Sequence, residues 1–118
     1  MLAVTTVTDP QLKNRISNQG KRDELEALFE LLKSNNPKGI KYAEKRIIEL
    51  GENAISPLVL GLSNQDISIR QNSSRILANQ QCIKNIDLES TISILVKMLN
   101  DESPEVVSNL RKMLVFMQ

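Results

Sequence analysis

The sequence contains no histidine and no tryptophan, a single cysteine, and only two phenylalanines and one tyrosine among its 118 residues. Without histidine, the usual proton shuttle near neutral pH and the commonest metal ligand are both missing. That excludes Ser-His-Asp hydrolysis and His-containing zinc sites. Cys82, being alone, cannot close an intrachain disulfide, which fits a reducing compartment. Charge of one sign is missing too: 15 Lys and Arg face 14 Asp and Glu, a net +1. The long-range field of a nucleic-acid or membrane-surface binder is therefore absent. No stretch reaches the roughly 18 uninterrupted apolar residues of a membrane-spanning helix, because charges or amides break every apolar segment. Residues 1–8 are apolar, short and uncharged, unlike a secretory leader, and are expected to fray. The chain is read as one small soluble domain in the cytoplasm, with no cofactor.

What is present is helical grammar. Glycine and proline number four each, and apolar residues recur at three- and four-residue spacing rather than by alternation, so an all-α chain is predicted. A short first helix is expected from the Asp9 cap and Pro10, ending at Gly20, with Leu12 and Ile16 as a thin apolar face. Residues 1–20 thus form an N-terminal segment with a short capping helix, and residues 21–118 a repeat domain.

Within that domain one pattern is written three times. A helix from about Arg22 carries Leu25, Leu28, Leu31 and Leu32; Asn35-Asn36-Pro37 turns the chain; a second helix carries Ile40, Ala43, Ile47 and Leu50 and stops at Gly51. Next, Asn53 can cap a helix with Ile55, Leu58, Val59 and Leu62, and after Asn64-Gln65-Asp66 comes a helix lined by Ile69, Ser73, Ile76 and Leu77. After Gln80–Asn85, Asp87 can cap a helix with Ile92, Leu95, Val96 and Leu99. Pro104 then opens a last one with Val106, Leu110, Met113, Leu114 and Met117. Leu32, Leu62 and Leu99 are 30 and 37 residues apart, and Ile40, Ile69 and Val106 are 29 and 37 apart. Both helices of a unit keep one offset, so the extra residues fall in the second link.

The stretch Ala54-Ile55-Ser56-Pro57-Leu58 through Asp66-Ile67-Ser68-Ile69-Arg70 resembles the HEAT repeat family, and more closely its short phycobilisome-lyase-type variant. The resemblance spans about residues 22–117. It implies an α-solenoid of about three HEAT-like helical hairpins, preceded by the short N-terminal helix. It also implies a ladder between neighbouring repeats made by a turn Asp and a helix Arg, roles that Asp66 and Arg70 would fill. The other units depart from the pattern, with Lys41 and Val107 at the Arg position and Asn72 and Ser73 where small Ala residues are usual. Stacked amphipathic hairpins share a core that no single one could bury, and about three suffice.

In a HEAT-like stack the second helices line the concave side. Their solvent-facing residues are then the candidate partner-binding set: Lys41, Glu44, Lys45, Arg70, Gln71, Ser74, Arg75, Ser108, Arg111 and Lys112. The excess of cations suits an acidic protein segment. Nucleic acid is disfavoured by near-zero charge and scarce aromatics. Asp66 with Arg70, or Asp101 with Glu102, could be read as acid–base pairs, but acidic residues at hairpin turns ordinarily cap helices. Cys82 lacks a nearby base, which makes it a structural or incidental thiol. Met113-Leu114-Val115-Phe116-Met117 is apolar on nearly every side. It is either buried against the preceding hairpin or covered by the N-terminal segment, a partner helix, or self-association through Met113, Val115, Phe116 and Met117. The expected function is that of a non-catalytic protein-interaction module acting as adaptor, assembly factor or regulator of a protein complex. The repeat type alone suggests, as the alternative, an accessory subunit of a phycobilisome-related lyase or degradation system.

Overall fold

The computed structural model describes residues 10–79, 82 and 84–117, and among them every regular element is a helix. These are α1 (Pro10–Lys33), α2 (Pro37–Leu50), α3 (Glu52–Gly61), α4 (Ile67–Leu77), α5 (Leu88–Met98) and α6 (Pro104–Phe116). The all-α expectation holds, and none of the described helices is long and apolar enough to cross a membrane. The expectations for residues 1–8, the Asp9 cap, the packing of Leu12 and Ile16, and residues 80, 81 and 83 of the Gln80–Asn85 link lie outside the described residues.

Local chemistry sets the helix ends. The Asn36 side chain accepts from the Lys38 amide, and Pro37 follows in the first turn, where a missing N–H costs nothing. Asp66 accepts from the amides of Ser68 (2.8 Å) and Ile69 (3.2 Å) to open α4. Ser103 accepts from Val106 ahead of Pro104 in α6. Gly51 has φ of +61°, the left-handed region that glycine enters without steric cost. Its N–H bonds back to Ile48, so one residue both closes α2 and leads into α3. The helix cap expected at Asn53 is thereby taken by Gly51.

The expected break at Gly20 is absent: α1 runs unbroken from Pro10 to Lys33. Gly20 does not adopt a positive φ. A glycine kept right-handed inside a helix costs only about 1 kcal/mol relative to alanine, too little to end one without a proline or a left-handed turn behind it.

Consecutive helices pack in pairs, α1 on α2, α3 on α4 and α5 on α6, with further contacts of α4 to α1 and α6 and of α3 to α1 and α2. The core is aliphatic: Leu25, Leu28 and Leu32 from α1 meet Ala43 and Ile47, Leu58, Ile69, Ile76, Leu95 and Leu110. Helix α4 is the most enclosed, with seven of its eleven residues buried. At its crossing with α3 there is no space for a side chain on Gly61, where a Cβ would stand 2.3 Å from the Ser73 hydroxyl oxygen. On α5 the inward residues are Thr91 and Leu95, while the expected core residues Ile92 and Val96 are exposed. Thr91 turns inward without penalty because its hydroxyl donates to the Asp87 carbonyl at 2.7 Å.

Candidate functional site

The candidate residues sit on α2, α4 and α6, and α4 is joined to both of the others by polar bonds. On one side Arg75 grips the Glu44 carboxylate of α2 with two nitrogens, at 3.2 and 3.4 Å. On the other, Gln71 donates to the Ser103 hydroxyl and Asn109 of α6 donates to the Ser74 hydroxyl, each at 3.1 Å. Below, Asn72 donates to the Leu32 carbonyl at 2.9 Å, satisfying an orphan acceptor at the end of α1, and receives Arg75 at 2.7 Å.

Arg70 does not face solvent. It is 9% exposed, with Nε 2.8 Å from the buried Asp101 carboxylate, Nη2 3.4 Å from Glu102, and Nη1 shared by the carbonyls of Asn64 and Gln65. The partner of Arg70 is therefore Asp101 in the following turn, while Asp66 is occupied in capping α4. The resemblance marked Arg70 as a ladder residue between neighbouring repeats, and its carboxylate partner comes from the next unit, at Asp101. A helix N-cap must sit immediately ahead of the first turn, and Asp66 is the residue that does. Ser74 is likewise buried, so it and Arg70 depart from the solvent-facing set. Arg70, Gln71, Ser74 and Arg75 hold three helices in register.

Lys41 and Lys45 on α2 and Ser108, Arg111 and Lys112 on α6 remain exposed. Between them the residues of α4 that are not buried are Ile67, Ser68, Gln71 and Arg75, and Ile67, Gln71 and Arg75 lie four apart on one stripe. The face is therefore a middle helix held by ion pairs and flanked by exposed cations. Tyr42, next to Lys41, is 60% exposed, a prominence the sequence reading did not pick out. It was legible in principle, since Tyr42 falls between the inward positions Ala43 and Ile47 and the outward lysines.

Elsewhere, Cys82 is buried, and burial pushes its thiol pKa up, with the Glu44 charge acting in the same direction. That leaves little thiolate for nucleophilic chemistry. Of the C-terminal apolar run, Met113 is wholly buried and Leu114 and Met117 are half-buried, in keeping with packing against the core. Val115 and Phe116 are exposed. Helices α1 and α2 are tied by Arg46, which donates through Nε and Nη2 to Glu24, the latter at 3.1 Å.

No protein-family model, curated protein or solved structure matches the chain.

Proposed function

We propose that the chain is a non-catalytic protein-interaction module, built as a short α-solenoid of three HEAT-like hairpins, that works in the cytoplasm as an adaptor, assembly factor or regulator. Support for the stacked arrangement comes from the second helix of each pair. Helix α4 carries bonds to α2 through Arg75, to α6 through Ser74, and to the turn that leads into α6 through Gln71 and Arg70. The Arg70–Asp101 pair joins the second unit to the third, the kind of contact that the resemblance to HEAT repeats implies. Support for a non-catalytic role comes from the buried, proton-retaining Cys82 thiol.

The observation that carries the binding role is the separation of labour among cations. Arg70 and Arg75 are held by carboxylates, whereas Lys41, Lys45, Arg111 and Lys112 stand exposed on either side of them. A surface of that kind attracts an acidic protein segment by steering at little conformational cost to the platform.

The test is charge reversal where it cannot harm the fold. The variant Lys41→Glu, Lys45→Glu, Arg111→Glu, Lys112→Glu should keep its melting temperature and lose affinity for a fluorescent Glu/Asp-rich peptide and for partners captured from the native lysate. Undiminished binding would refute the placement.

A further inference from the structure

The third hairpin carries, uncovered, the face by which the second hairpin is covered. Helix α4 meets the third hairpin through Arg70, which pairs with Asp101, through Gln71, which donates to Ser103, and through Ser74, which accepts from Asn109. Leu77 and Ala78 fall on the same side by helical spacing, and both are buried. The 37-residue offset that carries Leu62 to Leu99 and Ile69 to Val106 carries these positions to Val107, Ser108, Arg111, Leu114 and Val115. There the burial is lost. Val107 and Leu114 are half-buried, Ser108 and Arg111 are exposed, and Val115 is 68% exposed. The first helices repeat the contrast, since Ile55 and Val59 are half-buried while their counterparts Ile92 and Val96 are exposed. Of the eight large hydrophobic residues exposed among those described, five belong to this last hairpin: Leu88, Ile92, Val96, Val115 and Phe116.

An end repeat ordinarily turns a polar side to water. This one turns the side of an internal repeat, so the surface continues the contact already made between α4 and α6, and its natural complement is another helical hairpin. Charges on α5 select which hairpin. Leu88, Ile92 and Val96 lie four apart on one stripe, and on the same exposed side of the helix stand Glu89 and Lys97, eight residues or about 12 Å apart along the axis. Neither forms an ion pair with another described residue. Laid antiparallel on its own copy about a two-fold axis near Ser93, midway between them, the helix brings each Glu89 to the Lys97 of the second copy. The same axis sets Leu88 against Val96. The sequence of α5 is thus complementary to itself in both charge and apolar pattern.

We infer, taking the hairpins as stacked repeats, that the outer face of α5 and α6 joins two copies of the chain in a two-fold dimer, α5 antiparallel on α5. A two-fold contact closes on itself, so both apolar ends are covered and no filament grows. Size sets its strength. Helices of eleven and thirteen residues side by side offer a face of about 300–400 Å² per copy, below the roughly 800 Å² of a standard interface, so the dimer is reversible and micromolar rather than nanomolar. Dimerisation doubles the number of cation-bearing α2 surfaces in one particle, which raises avidity for a partner with repeated acidic segments.

Sedimentation velocity of the full chain, from micromolar to submillimolar concentration, should show monomer passing to dimer and no larger species. Val96→Glu and Val115→Glu, both at exposed positions, should each weaken the dimer at least about tenfold, with helical content unchanged by circular dichroism. Glu89→Lys alone and Lys97→Glu alone should weaken it by setting like charges together, and the double variant Glu89→Lys, Lys97→Glu should restore it. A chain that stays monomeric over this range, a dimer indifferent to Val96→Glu and Val115→Glu, or no rescue in the double variant would overturn the inference. So would species that keep growing with concentration, the sign of head-to-tail stacking. Because Arg111 borders both surfaces, the control lies on α2: Lys41→Glu, Lys45→Glu should dimerise as wild type does while losing affinity for a Glu/Asp-rich peptide, so either reading can fail without the other.

Discussion

Arg70 shows how much one side chain can be asked to do. It is buried with Asp101, whose carboxylate stands 2.8 Å from Nε as an ion pair without hydrogen-bond alignment, and Nη1 and Nη2 are used by two carbonyls and Glu102. Removing it leaves the Asp101 carboxylate with the Ser103 N–H at 2.8 Å but no countercharge, and breaking such a buried pair costs about 3–5 kcal/mol. Arg70→Ala should therefore lower the urea midpoint sharply, whereas a loss near that of an exposed pair, under about 1 kcal/mol, would mean that the pair is hydrated and incidental. A few residues away, the Ser73 hydroxyl is buried without a hydrogen-bond partner. Ser73→Ala should be neutral or stabilising in the same measurement, since it removes an unsatisfied polar group. Gly61→Ala should cost about 1–3 kcal/mol through overpacking against Ser73. The motif around Arg70 was legible in the sequence, but its burial was not. Periodicity locates a residue on a helix face and does not say whether another helix covers that face, and the carboxylate that makes burial tolerable lies 31 residues further on, at Asp101.

At the scale of the helices, most of the fold was legible. The turns at Asn36-Pro37, Gly51 and Asp66, and the start at Pro104, each rest on a residue whose local chemistry permits little else. Two elements were misread for physical reasons. Gly20 weakens a helix without stopping it, so the boundary drawn there vanished into α1. Helix α5, with Leu88, Ile92, Ile94, Leu95 and Val96, is apolar around much of its circumference, so spacing could not choose its inward side. Partner elements settle such choices, as the α1–α2 tie shows. The Arg46 hydrogen bond holds the Glu24 carboxyl below the usual carboxylate range, against the smaller opposing effect of burial. A carboxylate whose folded pKa is depressed adds stability above its unfolded value, about 4.3, and loses it as pH falls through the folded one. Glu24→Gln should thus lower the melting temperature slightly at neutral pH and flatten its fall below about pH 4.3, so that variant and wild type converge in acid. A fall as steep as in wild type would assign the acid sensitivity to other carboxylates.

For the whole molecule, near-neutral net charge concealed an uneven distribution. Cations collect on the exposed sides of α2 and α6, and carboxylates gather along an open groove beside α1 and α3, while α4 lies between the layers with its own charges neutralised. Composition sums over that pattern and so pointed only to the absence of a strong field. The candidate surface was half legible: the sequence placed its residues on α2, α4 and α6, which polar bonds join, but the tertiary ion pairs decide which of its cations stay exposed.

The most direct test of this division is a titration of the isotopically labelled full chain with a Glu/Asp-rich peptide, followed by amide chemical shifts. Changes concentrated at Lys41, Lys45, Arg111 and Lys112, with the bonds of Arg70 and Arg75 undisturbed, are the predicted result. Changes confined to α1 and α3, or none at saturating peptide, would contradict it.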